Sequence, residues 1–350
     1  MTVLVTGAFG LVGSATVRQI ASEGRRVVAT DLDVPANRKA AAELSGVEVR
    51  YADLTDPAAI ERLVAEVAPT AIVHLAAVIA PFCYGRRALA RKVNVGGTAN
   101  LLAAAAKLPT PPRFAHASSI AVYGPRNPYT VTGVLSADTP ATPADLYGSQ
   151  KLAAEELVRS SDLDWSVLRL GGVISVGISL KQPEEMLYFE SLLPTDGRLQ
   201  TVDVRDVASA FSAATVRDGA IGKILLIGGD NTTHRKLQGT VAEEVAEAMG
   251  MTGGLSPGRP GNPDSDVDWF ATDWMDTAEA QEILGFQNHG WPQMLAEVRA
   301  LTGTKRPLFK LAGPVARAFL ARRSAYYRWP GKYADPWTAI RARLGDPAPD

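Results

Sequence analysis

Glycines at positions 7, 10 and 13, directly behind a short β-branched run, constrain this chain more than anything else in it. Val3–Thr6 reads as a strand ending in Gly7, and Leu11–Ser22 follows with helical spacing until Gly24 stops it. Strand, tight turn and helix in that order bring free backbone N–H groups and the positive end of a helix to one point, which suits a pyrophosphate. Three glycines alone also describe a surface turn, so the context carries the reading. The next apolar run ends at Asp31, 18 residues past Gly13. A carboxylate there accepts hydrogen bonds from the adenosine ribose hydroxyls and repels a 2′-phosphate. Gly7, Gly10, Leu11, Val12, Gly13 and Asp31 therefore predict bound NAD rather than NADP. Asp33 could share that role, and a solvated loop acid is the plain alternative for Asp31.

Arg26–Thr30, Val47–Tyr51, Ala71–Leu75, Arg113–Ala117, Trp165–Leu170 and Lys223–Ile227 are further apolar runs too short for helices, with helix-like stretches between most of them. Such alternation predicts an α/β fold, a doubly wound parallel sheet of the Rossmann type. After Gly171 the pattern turns irregular. The expected organisation is a dinucleotide-binding domain over 1–171, with 201–228 returning to its sheet. A smaller C-terminal substrate lobe takes 172–200 and 229–304, and a basic C-terminal appendage takes 305–350. A hydrophobic fraction of 46% with 21% charged residues is ordinary globular composition and excludes a disordered chain. The single cysteine, Cys83, excludes an internal disulfide, and Met1 runs straight into an apolar strand, so a cytoplasmic location is expected. His74, His116, His234 and His289 are scattered without ligand spacing, and no metal is predicted.

Ser118-Ser119 closes the fifth run, and Tyr147 and Lys151 stand four apart at the start of a helical stretch, 28 residues beyond Ser119. Tyrosine and lysine at that spacing share a helix face. The lysine can lower the tyrosine's pKa and hold the ribose, while the tyrosine exchanges a proton with a substrate oxygen that Ser119 orients. A surface Tyr/Lys pair is the bland reading, which the serine and the glycine loop make untenable. With Asp53-Leu54 after the third run and His74-Leu75-Ala76-Ala77 after the fourth, residues 1–230 resemble the extended short-chain dehydrogenase/reductase family, the NAD-dependent epimerases and dehydratases. The resemblance implies that Asp53 and Leu54 clasp the adenine and that Leu75, Ala76 and Ala77 pass the cofactor; Asp53 could equally be a helix-start acid ahead of Pro57. Asn94-Val95-Gly96-Gly97-Thr98 resembles the family helix whose asparagine supports the proton path and the cofactor, so Asn94 joins Ser119, Tyr147 and Lys151. Ser118, Tyr123 and Tyr129 are expected in the structure or the pocket wall, and the charges of Asp203-Val204-Arg205-Asp206 in fixing the chain.

Two departures narrow the reaction. Where nucleotide-sugar enzymes of the family carry an asparagine on the substrate diphosphate, this chain has Gly172; where the dehydratases carry an Asp-Glu pair, it has Ile120-Ala121. The expectation is therefore an NAD-dependent oxidoreductase, nearest the hydroxysteroid-dehydrogenase-like branch, that interconverts a secondary alcohol and a ketone on a lipophilic small molecule. A nucleotide-sugar epimerase is the alternative, and a cofactor sensor without catalysis has no need of all three catalytic side chains. Leu180, Met186, Leu187, Tyr188, Phe189, Leu192 and Leu193 are expected to line an apolar pocket.

The net charge of −1 conceals an uneven distribution. Residues 301–350 hold ten Lys/Arg against three Asp, hence +7, which leaves −8 for residues 1–300. Leu308, Leu311, Ala312, Val315, Ala316, Phe319 and Leu320 recur at helical spacing among these bases, followed by Tyr326, Tyr327, Trp329, Tyr333 and Trp337. Too short an apolar stretch to span a bilayer, the segment 305–350 suits an anionic membrane surface or packs on the protein. A homodimer is expected, and an acidic body without a binding motif argues against nucleic acid.

Overall fold

The structure is a computed structural model and describes residues 1–177, 183–251 and 258–350. Its strands are β1 (Thr2–Thr6), β2 (Arg26–Asp31), β3 (Glu48–Tyr51), β4 (Ala71–His74), β5 (Arg113–Ser119), β6 (Trp165–Leu170), β7 (Gly172–Ile174), β8 (Arg198–Asp203), β9 (Lys223–Ile227) and β10 (Arg235–Leu237). The first helices are α1 (Leu11–Ser22), α2 (Pro35–Ala42), α3 (Pro57–Val67), α4 (Arg87–Arg91), α5 (Thr98–Ala106) and α6 (Leu146–Arg159). They are followed by α7 (Glu184–Leu192), α8 (Val204–Ala214), α9 (Gln238–Met249), α10 (Ala278–Leu284), α11 (Trp291–Thr302), α12 (Arg306–Arg323) and α13 (Pro336–Arg343).

A seven-stranded sheet runs β3-β2-β1-β4-β5-β6-β9, and every neighbouring pair in it is parallel. Helices cover both faces, so the strands are apolar without alternation. Val3, Val5, Ala29, Val73 and Ala115 face Val17 and Ile20 of α1 and Phe211 of α8. Leu4, Val28, Ile72 and Phe114, the intervening residues, face Ile60 and Val64 of α3 and Leu101 of α5. The chain leaves β1 for β2 on one side and returns to β4 on the other, which opens a crevice at the carboxyl ends of β1 and β4. α4 and α5 are joined through Lys92–Gly97, a wider π-helical turn, into one rod.

The part of 201–228 that joins the large sheet is Lys223–Ile227. β8 instead lies in a second sheet, between β7, with which it is parallel, and β10, with which it is antiparallel. Asp203 then caps α8 by accepting from the Arg205 amide at 2.8 Å, and its carboxylate pairs with the Arg205 guanidinium.

The segment after α12 packs on the protein. Tyr326, Ala334, Ala339, Ile340 and Leu344 are buried with Cys83, Tyr84, Tyr188, Phe189 and Leu192, and Tyr147 borders the same cluster. Tyr188 donates to the Ala339 carbonyl at 3.2 Å and Tyr326 to that of Leu192 at 2.6 Å. This corrects the expectation of an open apolar pocket: Tyr188, Phe189 and Leu192 spend their apolar surface on residues 326–344, because aromatic side chains from both segments bury more area together than apart. Leu180 lies outside the described residues. Among the described residues no helix is long and apolar enough to cross a membrane.

Candidate active site

Gly7 has φ +65°, and a Cβ there would come within 2.7 Å of the Ala76 backbone. Only glycine takes that conformation at that separation without cost. A Cβ at Gly13 would collide with the Gly7 carbonyl, so the first turn of α1 closes directly on the loop. Gly10 precedes α1 with no side chain capping the helix, and Leu11 beside it is exposed. The N–H groups of Leu11, Val12 and Gly13 are thereby left for a phosphate. Across the crevice stand Leu75, Ala76 and Ala77, with the Ala76 N–H 3.4 Å from Thr6 Oγ1. Asp31, at the end of β2, accepts from the Leu32 and Phe9 amides at 2.8 and 3.4 Å; burial raises its pKa against these bonds. Asp33 lies outside and is held by Arg38 at 2.6 Å. Asp53 accepts from both Thr55 N and Thr55 Oγ1, while the acid that caps α3 is Asp56. The Leu54 carbonyl is fixed by Asn100 at 2.7 Å. An uncapped helix end, glycines at 7 and 13 where a side chain would meet backbone, and a carboxylate at the end of β2 fit a dinucleotide.

Ser119 ends β5, and Asp145 caps α6 by accepting from the Gly148 and Tyr147 amides at 3.0 and 3.3 Å. A Cβ at Gly148 would collide with the Ala121 carbonyl, so the start of α6 lies flush against the turn after β5. That contact brings the Tyr147 side chain beside Ser119, whose hydroxyl favours the ionised phenol. Lys151, one turn on, is buried, donates to the Ala117 carbonyl at 2.7 Å and lies 5.9 Å from the centroid of the Tyr147 ring. The three side chains thus meet from two adjacent elements.

The electrostatics differ from the expected lowering of the tyrosine pKa by the lysine. Burial pushes the Tyr147 phenol well up, Cys83 and Asp145 add to it, and Ser119 opposes them. Burial brings Lys151 down to about 8, with Glu155 pulling the other way. Tyr147 is therefore a neutral O–H at ordinary pH, a proton donor first.

Asn94 lies in the π-helical turn and touches neither Tyr147 nor Lys151 by hydrogen bond. Its Oδ1 accepts from the Val78 amide at 2.7 Å, and its Nδ2 donates to Val78 O and to Gln150 Oε1 at 3.1 and 2.9 Å. Gln150 in turn donates to Asp350 at 2.8 Å. Arg87 and Arg91 hold that same carboxylate, each at 3.1 Å.

A second network went unseen in the sequence. Arg169 grips Glu155 and donates to the Tyr123 hydroxyl at 2.7 Å, Ser118 bonds Glu155, and Tyr123 donates to the Ser136 carbonyl. Glu155 stands four residues beyond Lys151, and that spacing was the available signal. His74, between Thr6 and Thr98 at 2.8 and 3.0 Å, is buried with its pKa lowered to about 3, so it braces the crevice as a neutral ring.

A family model described as the NAD dependent epimerase/dehydratase family matches residues 3–228. The chain is 33% identical over 192 residues to a UDP-glucose 4-epimerase of Oryza sativa subsp. japonica, an alignment that covers 48% of each chain. It is thus matched over about half of that relative's length. It is 28% identical to a dTDP-glucose 4,6-dehydratase of Neisseria gonorrhoeae over 74% of this chain and 80% of the other. In fold it resembles the UDP-glucose 4-epimerase of Thermus thermophilus in complex with NAD, with a TM-score of 0.69, 23% identity and coverage of 86% and 99%.

Proposed function

The chain belongs to the NAD-dependent epimerase/dehydratase family, an NAD enzyme acting on CH–OH groups, and on that footing we propose that it epimerises a nucleotide-linked sugar at one carbinol carbon. The observation that carries this reading is the Ser119, Tyr147 and Lys151 cluster beside a dinucleotide crevice, in a chain whose relatives include a UDP-glucose 4-epimerase. It is preferred to the lipophilic-alcohol reading, three of whose expected pocket residues, Tyr188, Phe189 and Leu192, are buried with the C-terminal segment.

Bound NAD supplies the two-electron acceptor for the carbon. The loop at Gly7–Gly13 and the start of α1 hold the pyrophosphate and Asp31 the adenosine ribose. Ser119 and Tyr147 converge on the carbinol oxygen; Tyr147, once ionised beside the Lys151 cation that steadies its phenolate, takes the carbinol proton to become a neutral phenol and gives it back when the carbinol re-forms. The Ala117 carbonyl keeps Lys151 in place for this, and the charge of Glu155 favours its cationic form. Loss of water is disfavoured, since Ile120 and Ala121 offer no acid or base beside Ser119.

Gly172 favours a second reading, simple alcohol oxidation. It offers no side chain to a diphosphate where nucleotide-sugar enzymes of the family carry an asparagine. Incubation of the protein and NAD with UDP- and dTDP-sugars, beside a panel of secondary alcohols, separates the two. Epimeric product without net NADH is expected; NADH accumulating from a plain alcohol, with no epimer from any sugar, overturns the epimerase.

A further inference from the structure

Helix α12 carries four large apolar side chains that stand open to solvent among the described residues: Leu308, Leu311, Val315 and Phe319 are 65%, 79%, 73% and 51% exposed. At 3.6 residues per turn they fall within an arc of about 80°, so they form one stripe. Isolated exposed apolar residues are ordinary, but four in a row along one helix face mark a contact surface. The opposite side of α12 attaches to the body through buried Gly313, against Met251.

Charge says what the stripe meets. Residues 305–323 contain Lys305, Arg306, Lys310, Arg317, Arg322 and Arg323 and no acidic residue. Lys305 stands three residues before Leu308 and Arg322 three after Phe319, so a cation flanks each end. The Arg323 guanidinium also stacks over the Phe319 ring, 4.3 Å from its centroid. We propose that α12 is an interfacial helix that seats Leu308, Leu311, Val315 and Phe319 among the acyl chains of an anionic phospholipid surface, with Lys305, Arg322 and Arg323, which flank the stripe, on the headgroups.

A second copy of the chain is the competing occupant. A two-fold pairing through this stripe would set two such basic segments side by side with no acid in either, which is repulsive. An anionic bilayer meets both the apolar stripe and the bases. It also repels the −8 of residues 1–300, which fixes which side of the molecule faces the lipid. The helix is anchored beforehand, by α11 before it and by the packed segment after it, so docking requires no folding.

The test is co-sedimentation of the full chain with vesicles of phosphatidylcholine alone and of phosphatidylcholine mixed with phosphatidylserine. Binding to the mixed vesicles at low salt should exceed that to the neutral ones by about tenfold and fall as salt rises. Leu311→Ser/Phe319→Ser and Lys305→Glu/Arg322→Glu, each changing only exposed side chains, should each cut binding by at least about fivefold, with circular dichroism and NAD binding unchanged. No co-sedimentation of the full chain at low salt, or binding that neither variant weakens, overturns the proposal. A dimer in sedimentation equilibrium that Leu311→Ser/Phe319→Ser dissociates overturns it too, in favour of a protein contact.

Discussion

Arg169 and Glu155 meet as a two-pronged ion pair, Nε and Nη2 of the arginine at 2.9 and 2.6 Å from the two carboxylate oxygens, with 3% and 0% of the side chains exposed. Their pairing joins β6 to α6 one turn beyond Lys151. Removing one member leaves an uncompensated buried charge, so Arg169→Met should destabilise the fold by about 3–5 kcal/mol, and Arg169→Met/Glu155→Met should recover most of that. Urea unfolding of the three proteins measures it; a double variant no more stable than Arg169→Met would contradict this account.

Lys151 gives stability a predictable pH slope. Its pKa is about 8 folded against 10.5 ordinarily, so between these values the unfolded chain binds the proton and the folded chain does not. Folding is therefore penalised below pH 8, and this group's contribution to stability rises with pH through 8 to 10.5. The stability of Lys151→Met relative to the natural chain should accordingly be greatest near neutral pH and decline across that window. A pH-independent difference in urea midpoints would show that Lys151 does not titrate there.

Tyr147→Phe keeps the ring in its cluster and removes the proton. Turnover should fall by about 10²- to 10⁴-fold while the NAD dissociation constant stays within a few-fold. Isothermal titration and product assays on one preparation check both, and near-natural turnover would remove Tyr147 from the mechanism.

In the proposed binding mode, cofactor choice rests on two carboxylates with different tasks. Asp31 faces the crevice, and Asp33 neutralises Arg38. Asp31→Ser/Asp33→Ser removes the repulsion and frees a guanidinium for a 2′-phosphate, so the ratio of NADP to NAD affinity should rise by about tenfold or more. An unchanged ratio in titrations would place the ribose elsewhere.

Asp350 reaches the catalytic helix through Gln150. Because its side chain is partly exposed, Asp350→Ala should cost only about 1 kcal/mol of stability, yet it unties Gln150 from Arg87 and Arg91. Turnover should fall several-fold with substrate KM and NAD affinity little changed, and Asp350→Glu should restore part of it. A loss confined to melting temperature would reduce Asp350 to a surface contact.

The parallel sheet was legible because its strands are short apolar runs between helical stretches, and β1, β2, β3, β4, β5, β6 and β9 start and stop within two residues of where the sequence sets them. The glycine loop, Asp31, Ser119, Tyr147 and Lys151 were legible because each lies at a strand end or in the first turns of a helix, where local spacing fixes position. The partners of Lys151 and Asn94 were not. Arg169 meets Glu155 across two elements, and Asp350 meets Gln150 at a separation of 200 residues; neither has a local period. The tail was legible as basic and amphipathic, but its division into an exposed helix and an aromatic segment packed beside Tyr147 depends on tertiary contacts that hydropathy does not encode.

The bond from the Leu146 amide to the Pro347 carbonyl, 2.7 Å, lies beside the link from Gln150 to Asp350. Both set a timetable for folding. The sheet can assemble from neighbouring βα units, each closing a short loop, whereas the first turn of α6 gains these partners only after a closure of 200 residues. Refolding chains should thus recover their helical signal well before their turnover, because the groups that brace the catalytic helix are the last to arrive.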